Sequence, residues 1–159
     1  MCGVLPIQKS DFMQKSVLFI CTGNTCRSPL AEAWFNKIAE SENLPYRASS
    51  AGLAAVNGAP ASNHSQSAAA ELGASLENFH SQMVTIEMLK NAELVICMTS
   101  SHCRYITSAM PELAEKVRPL MAYCDGGDVS DPYGGTLEEY RQCFADIRNA
   151  VEKLIRKLK

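Results

Sequence analysis

Apolar residues recur along this chain with two different periods. Val17, Leu18, Phe19 and Ile20 form an unbroken run of β-branched and aromatic side chains, as expected of a strand buried on both faces. Leu137, Tyr140, Phe144, Ile147, Val151, Leu154, Ile155 and Leu158 recur instead at helical spacing, which predicts one amphipathic helix from Leu137 to the C-terminus with that stripe in the core. Between these ends, strand and helix signals alternate. Pro29 to about Ser41 predicts a helix with proline marking its start. Tyr46 to Ser50 predicts a strand, with Ala51-Gly52 opening a loop after it. His64 to about Leu72 is Ala-rich and helical, stopped by Gly73, and Thr85 is of the type that caps a short helix with Glu87 and Met88 in its first turn. Glu93 to Met98 predicts a buried strand, Ser101 to Met110 a helix ended by Pro111, and Val117 to Leu120 the weakest strand. Such alternation implies an α/β, three-layer doubly wound fold: a central four-stranded parallel sheet with helices on both faces and ligands beyond the carboxyl ends of the strands.

Composition narrows the function classes. The 159 residues suit one domain, with 47% hydrophobic and 20% charged residues and a formal net charge of −2. That balance offers no field for nucleic acid, and no apolar run is long enough to span a bilayer. Residues 1–15 read as a flexible N-terminal extension without a secretory pattern, ahead of a single domain over residues 16–159. The seven cysteines make an odd count without disulfide-rich spacing, which points to a reducing, cytoplasmic compartment. With no Cys-x2-Cys pair, and with His64, His80 and His102 not spaced as ligands, neither a metal nor another cofactor is expected.

The chemistry concentrates where the first strand gives way to the first helix. Cys21-Thr22-Gly23-Asn24-Thr25-Cys26-Arg27-Ser28-Pro29 places a thiol and a guanidinium at opposite ends of one short loop. Gly23 and Asn24 tolerate positive φ, so the loop can turn with its N–H groups inward and form an anion nest. A helix N-terminus and the Arg27 fork add positive charge, which suits a tetrahedral dianion and favours the thiolate of Cys21 over the thiol. A thiolate below a bound phosphorus can attack in line and form a phosphocysteine. Any one of these residues alone would read as a buried cysteine or an ordinary turn.

At these residues the chain resembles the low-molecular-weight protein phosphatase family, whose signature loop has the form Cys-x-Gly-Asn-x-Cys-Arg-Ser-Pro. The resemblance runs from about Ser16 to the C-terminus. It implies that Cys21 is the nucleophile, that Arg27 binds phosphoryl oxygens, and that Asp131, in Asp131-Pro132-Tyr133-Gly134-Gly135, is the general acid. Protonation by a carboxylic acid would neutralise charge on the departing oxygen or nitrogen, while Pro132 stiffens that segment and the glycines allow close approach to a ligand. The resemblance further implies that Thr22, Gly23, Asn24, Thr25, Cys26 and Ser28 surround the phosphoryl group, with the Ser28 hydroxyl assisting the thiolate, although Ser28 is also a helix-capping type. Asn24 would be tied to Ser50 of the second strand. Family members usually add a histidine to this network; counting back from Thr85 puts Phe79 there, with His80 one residue late. Cys26 would be a reversible disulfide partner of Cys21, or simply a small loop residue.

Phosphorylated proteins are the implied partners and inorganic phosphate the product. Thr25 and the Gly134-Gly135 ending resemble the bacterial arginine-directed branch, whereas tyrosine-directed relatives carry an aliphatic residue at the Thr25 position. Tyr133 is the aromatic wall on which tyrosine phosphatases of the family stack the phenyl ring, though it could stack on a guanidinium too. The substrate therefore points to phosphoarginine, with phosphotyrosine as the alternative. A thioredoxin-coupled arsenate reductase is a remoter one, because Thr99 stands where its relay cysteine would lie and Cys97 falls inside a predicted strand.

Overall fold

The computed structural model describes residues 14–159. The expected N-terminal extension lies almost wholly outside the described residues, and the first strand begins at Lys15. Four strands, β1 (Lys15–Cys21), β2 (Tyr46–Gly52), β3 (Leu94–Cys97) and β4 (Val117–Pro119), form one sheet in the order β2-β1-β3-β4. Every pairing is parallel, with Cys21 opposite Gly52 and Ile20 opposite Cys97. The alternation of side chains along β1 divides the core. Val17, Phe19 and Cys21 enter the cluster built with Leu30, Phe35, Phe144 and Leu154, whereas Leu18 and Ile20 enter the one built with Leu89, Val95, Ile106 and Val117. The uninterrupted apolar run is therefore explained by burial on both faces.

Helices α1 (Arg27–Ser41), α2 (Asn63–Glu71) and α5 (Leu137–Leu158) cover one face, and α3 (Ile86–Asn91) and α4 (Ser100–Ala109) the other. The C-terminal stripe does face the core: Tyr140, Phe144, Ile147, Val151, Leu154 and Ile155 are all buried, and Phe144 meets Trp34 of α1 edge to face. Thr85 caps α3 by accepting from the Met88 N–H, and Gly73 follows α2 with a φ of +78°.

Two boundaries that bear on the loop after β1 each fall two residues from expectation. Helix α1 starts at Arg27, two residues ahead of Pro29, and its N-cap residue Cys26 makes no side-chain cap. Ser28 thus lies inside the first turn and does not cap it. Strand β2 runs on through Ala51 and Gly52, where the Gly52 N–H donates to the Gln82 carbonyl and the Gly52 carbonyl accepts from Val84 N–H. A Cβ at Gly52 would collide with the Thr22 carbonyl oxygen, so glycine here serves close approach of two backbones rather than a turn.

Candidate active site

Neighbours β1 and β3 send their following helices to opposite faces of the sheet, so a crevice opens beyond their carboxyl ends. Cys21 ends β1 at the floor of that crevice, 2% exposed. The Asn24 N–H reaches back to its sulfur at 3.2 Å, and the Ser28 hydroxyl lies 2.8 Å from it. Asn24 is the left-handed residue of the loop, with φ at 54°; Gly23 does not take a positive φ. A Cβ at Gly23 would meet only the Thr25 hydroxyl, at 3.8 Å.

The Asn24 side chain fixes the direction of the whole network. Its Oδ1 accepts the Gln82 backbone N–H at 2.9 Å, so its Nδ2 is the end that donates, to Ser28 Oγ at 2.8 Å and to Ser50 Oγ at 2.9 Å. With an amide hydrogen already arriving at its oxygen, Ser28 has its own proton free for the sulfur. Ser50 likewise has its proton free for Glu32 Oε1, 3.4 Å away. Burial pushes the Glu32 carboxyl up to about 7, against the lowering effect of the Ser50 bond and of nearby Arg47. Glu32 also borders a cleft of about 600 Å³ shared with Asn36, Arg47 and Phe79.

The expected imidazole is missing from this network. Phe79 packs against the core, His80 is exposed, and Gln82 takes the supporting position with its N–H on Asn24 and its Nε2 on the Ser50 carbonyl. No local sequence signal marked Gln82, because its role depends on the segment pairing alongside Gly52.

Arg27 is buried with its guanidinium turned toward the downstream segment. Its Nη1 donates to the Val129 carbonyl at 3.1 Å, and its Nη2 lies 3.7 Å from Asp131 Oδ2. Val129 is in turn anchored by its N–H on the Met98 carbonyl at the end of β3. This is how a residue more than a hundred positions downstream arrives at the loop. Asp131 remains 55% exposed, and its Oδ1 accepts the Tyr133 N–H at 3.1 Å. Tyr133 is 81% exposed. Gly134 has a φ of +77°, and a Cβ at Gly135 would press on the Pro132 carbonyl, so both glycines serve the turn into α5.

Thr25 is half-buried, with its hydroxyl only loosely placed, 3.8 Å from the Cys26 sulfur. Cys26 is buried against the Tyr140 hydroxyl at 3.3 Å, and burial together with that thiol pushes Tyr140 up to about 12. Thr22, at the exposed rim, bonds His102 of α4 at 2.9 Å. His102 carried no ligand spacing in the sequence; only the parallel packing of β3 beside β1 brings it here.

The chain has relatives among known proteins. The family model described as low molecular weight phosphotyrosine protein phosphatase matches residues 16–159. The chain belongs to this family. It is similar to a protein-arginine-phosphatase of Bacillus subtilis, with 39% identity over 90% of this chain and 96% of that one. It is also similar to the crystal structure of a low molecular weight protein tyrosine phosphatase from T. tengcongensis, with a TM-score of 0.86 and 39% identity over 90% of this chain and 99% of that one. A third relative is the YwlE arginine phosphatase, solved as a cysteine-to-serine mutant with a phosphorylated active-site serine. The TM-score there is 0.85, with 38% identity over 90% of this chain and 95% of that one.

Family membership makes the chain a protein phosphatase acting on phosphoproteins. No helix among the described residues is long and apolar enough to cross a membrane. Cys97, which a relay reductase would need within reach of solvent, is fully buried in β3, where the neighbouring Cys103 and burial push its thiol up.

Proposed function

We propose that this phosphatase removes phosphate from phosphoarginine side chains through a phosphocysteine on Cys21. A phosphoryl dianion enters the loop from Cys21 to Arg27, and its oxygens meet the loop N–H groups and the Arg27 fork. The Cys21 thiolate, receiving hydrogen bonds from Ser28 and from Asn24 N–H, attacks phosphorus opposite the leaving group. The S–P bond forms as the P–N bond breaks, and Asp131 passes its proton to the departing guanidino nitrogen. Asp131, now ionised, takes a proton from water, whose oxygen attacks the phosphocysteine. The products are free arginine side chain and inorganic phosphate, with the thiolate restored.

The observation that carries this reading is the pairing of a network-held thiol with an exposed carboxylate across Arg27. A phosphorylated serine at the nucleophile position of the YwlE mutant supports the covalent step. The arginine assignment is supported by Thr25, whose small polar side chain leaves room for a planar, polar group, and by the arginine-phosphatase relatives. The exposed ring of Tyr133 favours the second reading, phosphotyrosine, since a phenyl ring could stack on it. Thr22, Gly23, Asn24, Thr25, Cys26 and Ser28 are the phosphoryl-binding set, and Cys26 is the candidate redox partner of Cys21. A thiolate nucleophile with six free cysteines among the described residues suits the cytoplasm. A net charge of −2 gives no reason to expect nucleic acid as a partner.

Parallel assays of phosphoarginine and phosphotyrosine peptides test the proposal, with Cys21→Ser as the blank. Phosphoarginine should turn over faster, and Thr25→Ile should shift the ratio toward tyrosine by about tenfold or more. An unchanged ratio removes Thr25 from the specificity argument, and faster phosphotyrosine turnover by the unmodified protein favours the second reading.

A further inference from the structure

The first turn of α4 touches both banks of the crevice. On one side the His102 imidazole meets Thr22 Oγ1 on the rim of the phosphate loop. On the other, Asp128 Oδ1 accepts the Ser100 N–H at 2.8 Å and lies 3.2 Å from the Ser100 hydroxyl, just ahead of Val129 and Asp131. The imidazole is itself part of the helix cap: Thr99 Oγ1 accepts the His102 N–H, and His102 Nδ1 accepts the Thr99 N–H at 3.3 Å. A nitrogen that accepts cannot carry a proton. In the neutral ring the hydrogen is therefore on Nε2, which donates to Thr22.

We propose that His102 is a positioning residue of the phosphate loop, fixing Thr22 to the same helical turn that holds Asp128 and, through it, the segment bearing Asp131. The inference rests on the reading of the Cys21 loop as the phosphoryl site, because a clamp on its rim matters only if the loop binds the dianion. Thr22 follows the nucleophile directly, and its carbonyl is already held by the Ala54 N–H. The His102 bond restrains the remaining free side of that residue.

The clamp has a built-in titration. The charged groups facing His102 are Arg27 from the loop and Asp128 and Asp131 from the downstream segment; burial and then Arg27 push its pKa down, and the two carboxylates only partly oppose them. The neutral ring is thus the form held near neutral pH. Protonation would place an N–H at Nδ1 against the Thr99 N–H, two donors facing each other, so the cap and with it the clamp loosen. Loop binding should therefore weaken as pH falls through the folded-state pKa of His102, below the ordinary 6.5.

A glutamine at this position could accept from the Thr99 N–H and donate to Thr22 without titrating. His102→Gln should keep KM, and the inhibition constant of inorganic phosphate, within about threefold of the unmodified protein above pH 7, while His102→Ala should weaken both by about tenfold. In the ratio of unmodified protein to His102→Gln, which cancels titration of the substrate and of the other site groups, an acid limb below pH 6.5 should remain. Thr22→Val, which leaves the α4 cap intact, should reproduce the tenfold loss even if His102→Ala fails to fold. Nitrogen-15 NMR of His102 at pH 7.5 should show the Nε2-protonated tautomer, with that resonance shifted in Thr22→Val. A flat ratio against pH, a Thr22→Val protein that binds phosphate normally, or the Nδ1-protonated tautomer would each overturn the proposal. If the unmodified protein turns over no phosphorylated substrate, the functional reading fails, while the NMR comparison still decides whether His102 holds Thr22.

Discussion

The two banks of the crevice are built in opposite ways. The loop bank, Cys21 to Ser28, has the Cys21 sulfur, the Asn24 amide and the Ser28 hydroxyl engaged by one another and by Ser50 and Gln82, with Asn24, Arg27 and Ser28 all buried. The acid bank presents Asp131 and Tyr133 to solvent on a segment held mainly through Val129 and Asp128. A dianion of fixed tetrahedral shape rewards donors that need no reorganisation when it binds. In the proposed reaction the leaving group varies with the protein substrate and meets the bank that remains open. Side chains on the loop bank should therefore carry stability and activity together, and those on the acid bank activity alone.

Asp131→Asn puts that contrast to its hardest test. It should lower kcat by about 10²–10⁴ while changing unfolding free energy by less than about 0.5 kcal/mol. The loss should shrink with a substrate whose leaving group needs no proton, such as para-nitrophenyl phosphate. Kinetics on both substrates beside a denaturant melt would decide it; an equal loss on both would remove Asp131 as the acid.

Asn24→Ala should damage both properties. Alanine is strained at a φ of 54°, and the change strips donors from Ser28 and Ser50 and the acceptor from Gln82 N–H, for about 2–4 kcal/mol of stability together with most of the activity. A variant that lost activity but melted like the parent would show that the loop is not held by this network.

Glu32→Gln should have the smallest effect, at the outer end of the same network. With its folded-state pKa raised to about 7 from an ordinary 4.5, the carboxyl favours the fold fully below pH 4.5, and that contribution is lost as pH rises through about 7. Glutamine, which never ionises, should raise stability by about 1–2 kcal/mol above pH 7 and change little below pH 4.5. Thermal melts at pH 4 and pH 8 give the sign directly, and a variant no more stable at pH 8 than the parent would mean that Glu32 is not held up by burial.

Legibility in the sequence followed the range of the interaction. The Thr85 cap and the α5 stripe are local patterns and each is found where the sequence placed it, while the loop after Cys21 follows its strand as expected but gives way to α1 at Arg27, two residues ahead of Pro29. Ser50 was reachable only through the family resemblance, and it does meet Asn24. Composition does not say which glycine faces a backbone and which merely turns: Gly52 opens no loop but is packed under Thr22, and of the two loop residues that tolerate positive φ, Gly23 and Asn24, it is Asn24 that takes it. Gln82, Val129 and His102 gave no signal at all. Their roles come from a backbone N–H, a carbonyl and a ring nitrogen whose partners lie dozens of residues away.

By itself, then, the sequence determined the Cys21 to Pro29 loop, which the proposed function takes as nucleophile and phosphate cradle, and the alternation that makes a parallel α/β sheet, because spacing along a strand or a helix dictates which side chains share a face. Only the tertiary structure decided what holds that cradle. Gln82 stands in for the missing histidine, Arg27 turns to Val129 and Asp131, and His102 crosses from α4 to Thr22, since these contacts are fixed by strand order and helix packing rather than by distance along the chain.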